Sequence, residues 1–471
     1  MRASLGLVGL FAAYGVTGCI DAPASDPLPD PNGLPACASP QVEQIFKAVR
    51  SYIPKGSVTD QNFVTVANKA DEHLYLDGPQ IFPAMRELIA SAQHDVNLQT
   101  YVWEPGSDPV NEIVDAVHEL YRNRVYANAT EPVTVRFLFD VSTSNYGSRV
   151  DALPQAWAAI DKLQLDPTFV KFELAGVARS TTGALHKKTL VVDGKVAFIT
   201  GANPQAHHNY AAPWRDAGYK LEGEVALALQ DDFDATWAHA DAWTCAGNLA
   251  GKWSACSTPV EAIVREPVQT AANQGTGDAC QTMLVTTRVA DTNPVANSID
   301  NPSDQAFIAA MAAATDHIRI QTPNLNDDAA KKAIVDAVKR GVRVDVVLSK
   351  GFNDDSEIYP GQGGTNDDNV QMLYDTIGAA GVPNKCDKLR FRWYTRDGVV
   401  IDGNGIYASH AKYMSLDDNI VIVGTANMDT QSWNNSREVN VIVDDPAITQ
   451  AWDKQMFLPE MAAGAQVAYC Q

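Results

Sequence analysis

The sequence predicts an α/β fold made of two similar halves, because helix and strand patterns alternate and the same order of elements occurs twice. An amphipathic helix pattern at 81–92 leads into an alternating strand at 95–102. Later in the chain, a helical pattern at 307–314 leads into a strand at 317–323. Both strands contain a Gln-Thr pair, at 99–100 and at 321–322.

Each half continues with a second helix and a second strand. These lie at 110–123 and 133–139 in the first half and at 329–339 and 342–348 in the second. Strands separated by helices of this length are typical of layered α/β folds whose sheets are partly parallel. We therefore predict a first half at 46–260 and a second half at 261–471.

The composition is that of a globular, acidic protein. The 471 residues are 45% hydrophobic and 20% charged, which is enough apolar material for a large core. The 36 Lys and Arg residues against 57 Asp and Glu residues give a formal net charge of −21. Binding to nucleic acid depends on Lys and Arg displacing counterions from phosphates, so this charge disfavours a nucleic acid partner.

The N-terminus has the pattern of an export signal. Residues 1–18 contain Arg2 and a short apolar run, which is shorter than the roughly 20 residues of a membrane-spanning helix. Val-Thr-Gly then precedes Cys19, which resembles the bacterial lipobox, in which that Cys is lipidated. Residues 19–45 are the predicted tether, because they begin with a Pro- and Asp-rich stretch. We expect an exported cell-envelope lipoprotein; cleavage after Ala24 would instead give a secreted protein.

Six cysteines follow Cys19, and an even number in an exported chain suggests disulfide bonds. Cys245 and Cys256 are the predicted pair, because only a short loop joins them. The sequence has no CxxC motif and no Cys/His spacing typical of a zinc site. We therefore expect neither a metal nor another cofactor.

One motif occurs twice, at the same place in the duplication. It reads His-x-Lys-x4-Asp, with an Asn ten residues after the Asp. It comprises His186, Lys188, Asp193 and Asn203 in the first half and His410, Lys412, Asp417 and Asn427 in the second. With 9 His, 36 Lys and Arg and 57 Asp and Glu, a single His-x-(Lys/Arg)-x4-(Asp/Glu) is expected about 0.08 times by chance. Two copies, separated by nearly the same interval as the two Gln-Thr pairs, therefore indicate a function.

Each motif is predicted to lie on a β-hairpin. Apolar segments at 189–192 and 196–199 flank the turn dipeptide Asp193-Gly194, and segments at 413–416 and 420–423 flank the second turn. The His and the Lys are two residues apart, so they point to the same face of their strand. The second strand brings the Asn back beside them. Each hairpin thus presents an imidazole, an ammonium and a carboxamide at one place.

Two such sets of groups suit the chemistry of a phosphodiester. The Lys and Asn residues of both halves can bind an anion with several oxygens and stabilise the charge that develops on them. One imidazole can attack phosphorus to give a phosphohistidine, while the other protonates the leaving alkoxide. The second imidazole then deprotonates an incoming water or alcohol. This chemistry requires no metal.

The paired motifs resemble those of the phospholipase D superfamily, and most closely its secreted phospholipase D and cardiolipin synthase-like branch. The family pattern continues with Gly-Ser/Gly-x-Asn, which the second copy fits except for Thr425 at the Ser position. The first copy has Thr200 at the Gly position, followed by Gly201. The resemblance covers roughly residues 75–460. It implies a duplicated α-β-α-β-α sandwich with mixed sheets, whose two pseudo-twofold-related halves form one active site at their interface.

The resemblance also implies carboxylates that orient the imidazoles. Asp216 follows His186 and Glu438 follows His410, at nearly the same spacing in the two halves. We assign these two acids to fixing the imidazole tautomers, as the Asp of a catalytic triad does. The resemblance further implies that His186 is the nucleophile and His410 the general acid.

Several of these residues have a competing structural interpretation. Asp193 and Asp417 occupy turns, which suit Asp, so they act either in catalysis or only in the turn. Trp214 and Trp433 either bind substrate along a channel or belong to the core. His207-His208 suggests a metal, but neighbouring residues on a strand face opposite ways, so we expect a solvated loop there.

The sequence as a whole predicts a phosphodiesterase or phosphatidyltransferase that acts on phospholipid at a membrane surface, with water or an alcohol as acceptor. One chain holds both half-sites, so we expect a monomer. The alternative is a secreted nuclease of the same superfamily, because the motif does not distinguish one phosphodiester from another. A third hypothesis is a non-catalytic envelope protein that uses this fold for binding.

Overall fold

The structure is a computed structural model that describes residues 33–35, 37–141, 143–144, 147–148, 152–177, 183–238, 242–245, 281–290, 298–358 and 361–470. The predicted signal at 1–18, the predicted lipidation site Cys19 and Cys256 of the predicted Cys245–Cys256 bond lie outside the described residues. Cys37 and Cys386 are each disulfide-bonded. Within the described part of the chain, no helix combines the length and apolarity needed to cross a membrane.

The first half is centred on a mixed sheet of nine strands. In spatial order the strands are Ala242–Cys245, Val170–Val177, Val133–Asp140, Asp95–Thr100, Thr189–Val192, Val196–Thr200, Ala217–Gly223 and Asn68–Ala70, with Tyr75–Leu76 also paired to Ala217–Gly223. The strands 95–100, 133–140 and 170–177 run parallel to one another, and the other neighbours are antiparallel.

The second half contains an equivalent sheet. Its strands in spatial order are Val64–Thr65, Thr282–Arg288, Glu438–Asp444, Ile420–Gly424, Tyr413–Leu416, His317–Thr322, Arg343–Leu348, Leu389–Trp393 and Ala465–Gln466. Its parallel strands are again three in a row, at 317–322, 343–348 and 389–393. The register repeats as well, since Gln99 lies opposite Thr189 and Gln321 lies opposite Tyr413. The predicted duplication and mixed sheets are therefore confirmed.

The two sheets and their helices form five layers. One core packs the first sheet against the outer helices Gly78–Ser91, Asp108–Tyr126 and Ala152–Asp161. Another packs the second sheet against Pro40–Val49, Pro302–Ala313, Asp328–Lys339 and Asn366–Ala379. A third core joins the inner faces of both sheets to the helices Glu224–Trp237, Pro446–Trp452 and Leu458–Ala463. This layering is the α-β-α-β-α sandwich that the sequence predicts.

Short elements complete the described fold. They are the α-helices Asp354–Glu357, Lys385–Lys388 and Thr430–Asn434, the 3-10 helices Arg50–Lys55, Ala206–His208 and Ala468–Cys470, and the π-helix Asp453–Phe457. Two small hairpins pair Thr143–Ser144 with Gly147–Ser148 and Thr395–Arg396 with Val399–Val400.

The N-terminal part of the described fold differs from the prediction. The expected tether extends to residue 45 and the expected first half begins at 46, yet the helix Pro40–Val49 packs on the second sheet. Its buried residues recur at helical spacing (Val42, Ile45, Phe46 and Val49), and the Ser39 side chain caps its first turn. The strand Val64–Thr65 likewise pairs with the second sheet. The helix Pro40–Val49 and the strand Val64–Thr65 therefore extend the second half, although they precede the first sheet in the chain.

Candidate active site

Both motif hairpins form where the sequence predicts them. Thr189–Val192 pairs with Val196–Thr200, and Tyr413–Leu416 pairs with Ile420–Gly424. The turns require left-handed backbone, with φ 55° at Asp193. Asp tolerates this conformation better than most residues, which explains why it occupies the turn.

The two turn aspartates bind backbone amides and not the imidazoles. The Asp193 carboxylate accepts from the amides of residues 93–95, at 2.7 to 3.1 Å. The Asp417 carboxylate accepts from the amides of residues 315–317, at 2.8 to 2.9 Å. Asp193 therefore anchors the start of the strand Asp95–Thr100 to its motif hairpin, and Asp417 anchors the start of the strand His317–Thr322 to the other hairpin. Of the two roles that the sequence left open for Asp193 and Asp417, these contacts support the structural one.

The two motif imidazoles each pair with a carboxylate from the other half. His186 Nδ1 lies 2.8 Å from Glu438 Oε1, and His410 Nδ1 lies 2.8 Å from Asp216 Oδ2. Because the carboxylates are acceptors, each Nδ1 donates its proton and leaves Nε2 as the reactive nitrogen. The sequence identifies both acids, and in the chain each acid follows the His of its own half. In the structure each acid instead pairs with the His of the other half, so the pairing is crossed.

Backbone bonds between the halves explain this crossing. The His186 amide donates to the Arg437 carbonyl at 3.1 Å, directly before Glu438. The His410 amide donates to the Arg215 carbonyl at 2.7 Å, directly before Asp216. Each imidazole therefore lies next to the acid of the opposite half.

Both acids are buried and ionised. Burial alone would favour the neutral acid, but Lys412, His208 and His410 hold the pKa of Asp216 far below its ordinary value. Burial also opposes ionisation of Glu438, whose pKa is lowered by His186, among other groups. An ionised carboxylate on each Nδ1 fixes the imidazole tautomer.

The imidazoles are shifted toward the neutral form. Burial lowers the pKa of His186 and that of His410, which are 9% and 6% exposed. Lys412 contributes to lowering the pKa of His186, and Lys188 to lowering that of His410. The lysine of each motif thus lowers the pKa of the imidazole in the other motif. The two motifs therefore form one electrostatic site.

The two motif lysines are buried beside the imidazoles. The Lys188 ammonium donates to the His186 carbonyl at 2.5 Å and lies 5.3 Å from the centre of the Tyr101 ring. The Lys412 ammonium donates to the His410 carbonyl. Burial lowers the pKa of Lys412 to about 8, against the opposing effect of nearby carboxylates. The role of both lysines as donors to a bound anion stays a prediction.

The motif asparagines lie at the ends of the hairpins. Asn203 Oδ1 accepts from the Val102 amide at 3.2 Å, which turns its side-chain NH₂ away from that backbone. Asn427 Nδ2 donates to Asp429 at 2.8 Å, and its buried Oδ1 has no hydrogen-bond partner among the described residues. The substrate-binding role of both residues stays a prediction.

The two predicted substrate-binding tryptophans have different surroundings. Trp214 is packed beside the site, with its ring 5.3 Å from the His410 ring and its Nε1 donating to the Gly405 carbonyl at 2.7 Å. Trp433 is fully buried in the core of the second half and stacks on Phe307 at 5.8 Å. Its part of the prediction is therefore corrected, because it has no exposed surface for a substrate to contact.

The His207-His208 pair also differs from the predicted solvated loop. His207 is exposed and stacks on Trp214, whereas His208 is fully buried with Nε2 3.4 Å from Asp216 Oδ2. Sequence reasoning missed His208 because the turn Ala206–His208 rotates the second imidazole inward. Among the described residues, His208, Asp216 and His410 are also the one group of three whose donor atoms are close enough to hold a metal ion. In this structure the Asp216 carboxylate instead contacts both imidazoles directly.

Comparison with known proteins finds similarity to cardiolipin synthases. Residues 307–457 match the family model "Cardiolipin synthase, PLD-like domain". Cardiolipin synthase 1 of Bacillus cereus is 23% identical over 379 residues, which cover 79% of this chain and 63% of that protein. A probable cardiolipin synthase of Bacillus subtilis is 22% identical over 396 residues, which cover 81% and 64%. The chain thus spans less than two thirds of the length of these relatives.

A solved structure supports the fold independently. Phosphatidylserine synthase of Haemophilus influenzae superposes with a TM-score of 0.58, covering 90% of this chain and 92% of that one, at 14% identity. At this identity the likeness concerns the fold alone. It agrees with the duplicated, layered architecture described above.

Proposed function

We propose that the chain is a phospholipid phosphodiesterase or phosphatidyltransferase of the phospholipase D superfamily and that it works through a phosphohistidine. The observation that carries this proposal is the pair of crossed imidazole–carboxylate contacts, each 2.8 Å long. They fix both Nε2 atoms as the reactive nitrogens and join the two halves into one site. Two buried lysines beside them supply the positive charge that a phosphodiester requires.

In the first half-reaction, His186 Nε2 attacks phosphorus and the bond from phosphorus to the leaving oxygen breaks. The protonated His410 Nε2 gives its proton to that oxygen, so an alcohol departs and a phosphohistidine remains. His410 has a lowered pKa in the free protein. A bound phosphodiester anion favours its protonated form again, because an opposite charge nearby stabilises an imidazolium.

In the second half-reaction, His410 Nε2 accepts a proton from water or an alcohol. The oxygen of that acceptor attacks phosphorus, the nitrogen–phosphorus bond breaks, and His186 returns to its neutral form. Water as acceptor gives hydrolysis, and an alcohol gives transfer of the phosphatidyl group. Neither step needs a metal ion.

A phospholipid is the substrate that the observations favour. Both relatives described above are cardiolipin synthases by name, and the family model that matches residues 307–457 has the same description. The net charge of −21 opposes binding of a polyanion such as DNA. The predicted export signal and lipidated Cys19 would hold the enzyme at the cell envelope, where phospholipids are at hand.

The experiment is turnover of vesicles of phosphatidylcholine, phosphatidylglycerol and phosphatidylethanolamine, with mass spectrometry of the products with and without glycerol. Phosphatidic acid would report hydrolysis, and a new phosphodiester would report transfer. We expect turnover by the wild type and none by His186→Ala. A matched control is His118→Ala, which removes an exposed imidazole from the helix Asp108–Tyr126 and should keep full activity.

The nuclease alternative is tested in the same preparation. Cleavage of DNA in EDTA, together with no turnover of any lipid, would reject a phospholipid substrate. Equal activity of the wild type and His186→Ala would reject the proposed mechanism.

Export and lipidation are proposed separately. Growth with a radiolabelled fatty acid should label the wild type, and Cys19→Ala should abolish the label. A secreted, unlabelled wild type would replace the lipoprotein with the cleaved, soluble form.

A further inference from the structure

The two carboxylates that orient the imidazoles are themselves held in different ways. Glu438 Oε2 accepts from the Thr425 hydroxyl at 2.6 Å. The equivalent position in the first half is Gly201, which has no hydroxyl. A Cβ at Gly201 would lie 2.2 Å from Asp216 Oδ1, so Ser or Thr has no room there while Asp216 keeps its position. On the first-half acid, Asp216 Oδ1 instead accepts from the Ala217 amide at 3.0 Å.

His208 supplies a further side-chain contact to this acid. Its Nε2 lies 3.4 Å from Asp216 Oδ2, the same oxygen that accepts from His410 Nδ1. Both His208 and Asp216 are fully buried. Because a carboxylate oxygen only accepts, His208 Nε2 is the donor in this contact. His208 Nδ1 has no hydrogen-bond partner in the described structure.

The His208 ring is fixed by its surroundings. It packs 5.8 Å from the Trp214 ring and 6.3 Å from the Phe82 ring, measured between centres. Its backbone lies against Gly78, where an added Cβ would come within 1.9 Å of the His208 carbonyl oxygen. The donor is thus oriented before any substrate arrives, which is how a positioning group contributes to catalysis.

We propose that His208 is a positioning residue that holds Asp216, and through it His410, in the reactive orientation. This inference rests on the proposed function, because it assigns His208 to the same site. The Asp216 carboxylate then accepts from His410, His208 and the Ala217 amide, and the nearby Lys412 ammonium stabilises its charge. The role is specific to one imidazole, since Thr425 serves the acid of the other.

The test compares His208→Phe, which keeps a ring and removes the donor, with His208→Gln, whose side-chain NH₂ can replace Nε2–H. The first readout is the ¹⁵N spectrum of histidine-labelled protein, which needs no substrate. The wild type should show the His410 ring as a single tautomer protonated at Nδ1. His208→Phe should show a mixture of tautomers, and His208→Gln should show the wild-type tautomer again.

The second readout is steady-state kinetics on a p-nitrophenyl phosphodiester and on the phospholipid. His208→Phe should lower kcat about tenfold, as loss of a hydrogen bond to a charged group does, with KM and the thermal midpoint unchanged. His208→Gln should recover most of kcat, and His118→Phe should match the wild type. An unchanged kcat and tautomer in His208→Phe would overturn the inference, as would a zinc ion bound at one equivalent through His208. Failure of the wild type to turn over any lipid would reject the proposed substrate, while the ¹⁵N result would still decide the role of His208.

Discussion

Replacing Glu438 by Gln separates the crossed pairing from an uncrossed one. The substitution keeps the volume of the side chain but removes the charge that His186 Nδ1 contacts at 2.8 Å. It also lets an amide NH₂ face the imidazole, which favours the wrong tautomer. Asp216→Asn does the same to His410.

The magnitude follows from what each contact supplies. Loss of a charge-assisted hydrogen bond to a buried imidazole costs about 2–3 kcal/mol, and a misplaced tautomer in a catalytic triad costs about 10⁴ in kcat. We therefore expect each variant to lose roughly 10²- to 10⁴-fold in kcat, which corresponds to about 2.7–5.5 kcal/mol of transition-state stabilisation. Thermal midpoints should change far less than the rates.

The assay that distinguishes the pairings is rapid quench with a p-nitrophenyl phosphodiester, followed by peptide mapping in alkali, which preserves phosphohistidine. The p-nitrophenolate group leaves without being protonated, so formation of the adduct depends on His186 and breakdown of the adduct depends on His410. Asp216→Asn should therefore accumulate the adduct on His186, and Glu438→Gln should form almost none. The reverse pattern would refute the crossed assignment.

Three further predictions follow from the same contacts. The acidic limb of kcat/KM should lie below pH 6.5, because burial lowers the pKa of His186, whose neutral form attacks phosphorus. KM should rise above pH 8, where Lys412 with its pKa of about 8 loses its charge, and a pH profile of Lys412→Arg should lack that rise in KM. Asp417→Ala should lower the free energy of unfolding by about 2–3 kcal/mol, because it leaves three backbone amides without their acceptor, and kcat should stay nearly unchanged. Urea denaturation measures the first effect and single-turnover kinetics the second. A large loss of kcat in a folded variant would contradict the structural role. Dialysis against EDTA should leave activity unchanged. Loss of activity on dialysis, with recovery of activity when a divalent ion is added back, would indicate a step that needs a metal.

The duplication made much of the fold predictable. The two motifs and the two Gln-Thr strands recur at nearly the same offset, so each half supported the element order of the other. The hairpins followed from β-branched segments around Asp turns, which are local signals. The helix Pro40–Val49 was missed because the predicted tether was extended past Ser39, although its apolar spacing is helical.

The site was predictable in its residues but not in its connections. A repeat links each acid to the His of its own half, whereas the crossing depends on how the halves meet, and sequence spacing does not encode that. Trp433 could not be separated from Trp214 by pattern, because both follow a motif and both are buried, and only packing decides which of them lies beside an imidazole. His208 was hidden for a similar reason: a single turn of backbone directs it inward and its neighbour outward.

The stereochemical course at phosphorus tests the central claim most directly. A phosphodiester made chiral at phosphorus with oxygen isotopes or sulfur is converted by the wild type, and the configuration of the product is read by ³¹P NMR. Two successive in-line displacements, first by His186 and then by the acceptor, predict net retention. Net inversion would mean a single direct displacement and would contradict the covalent intermediate.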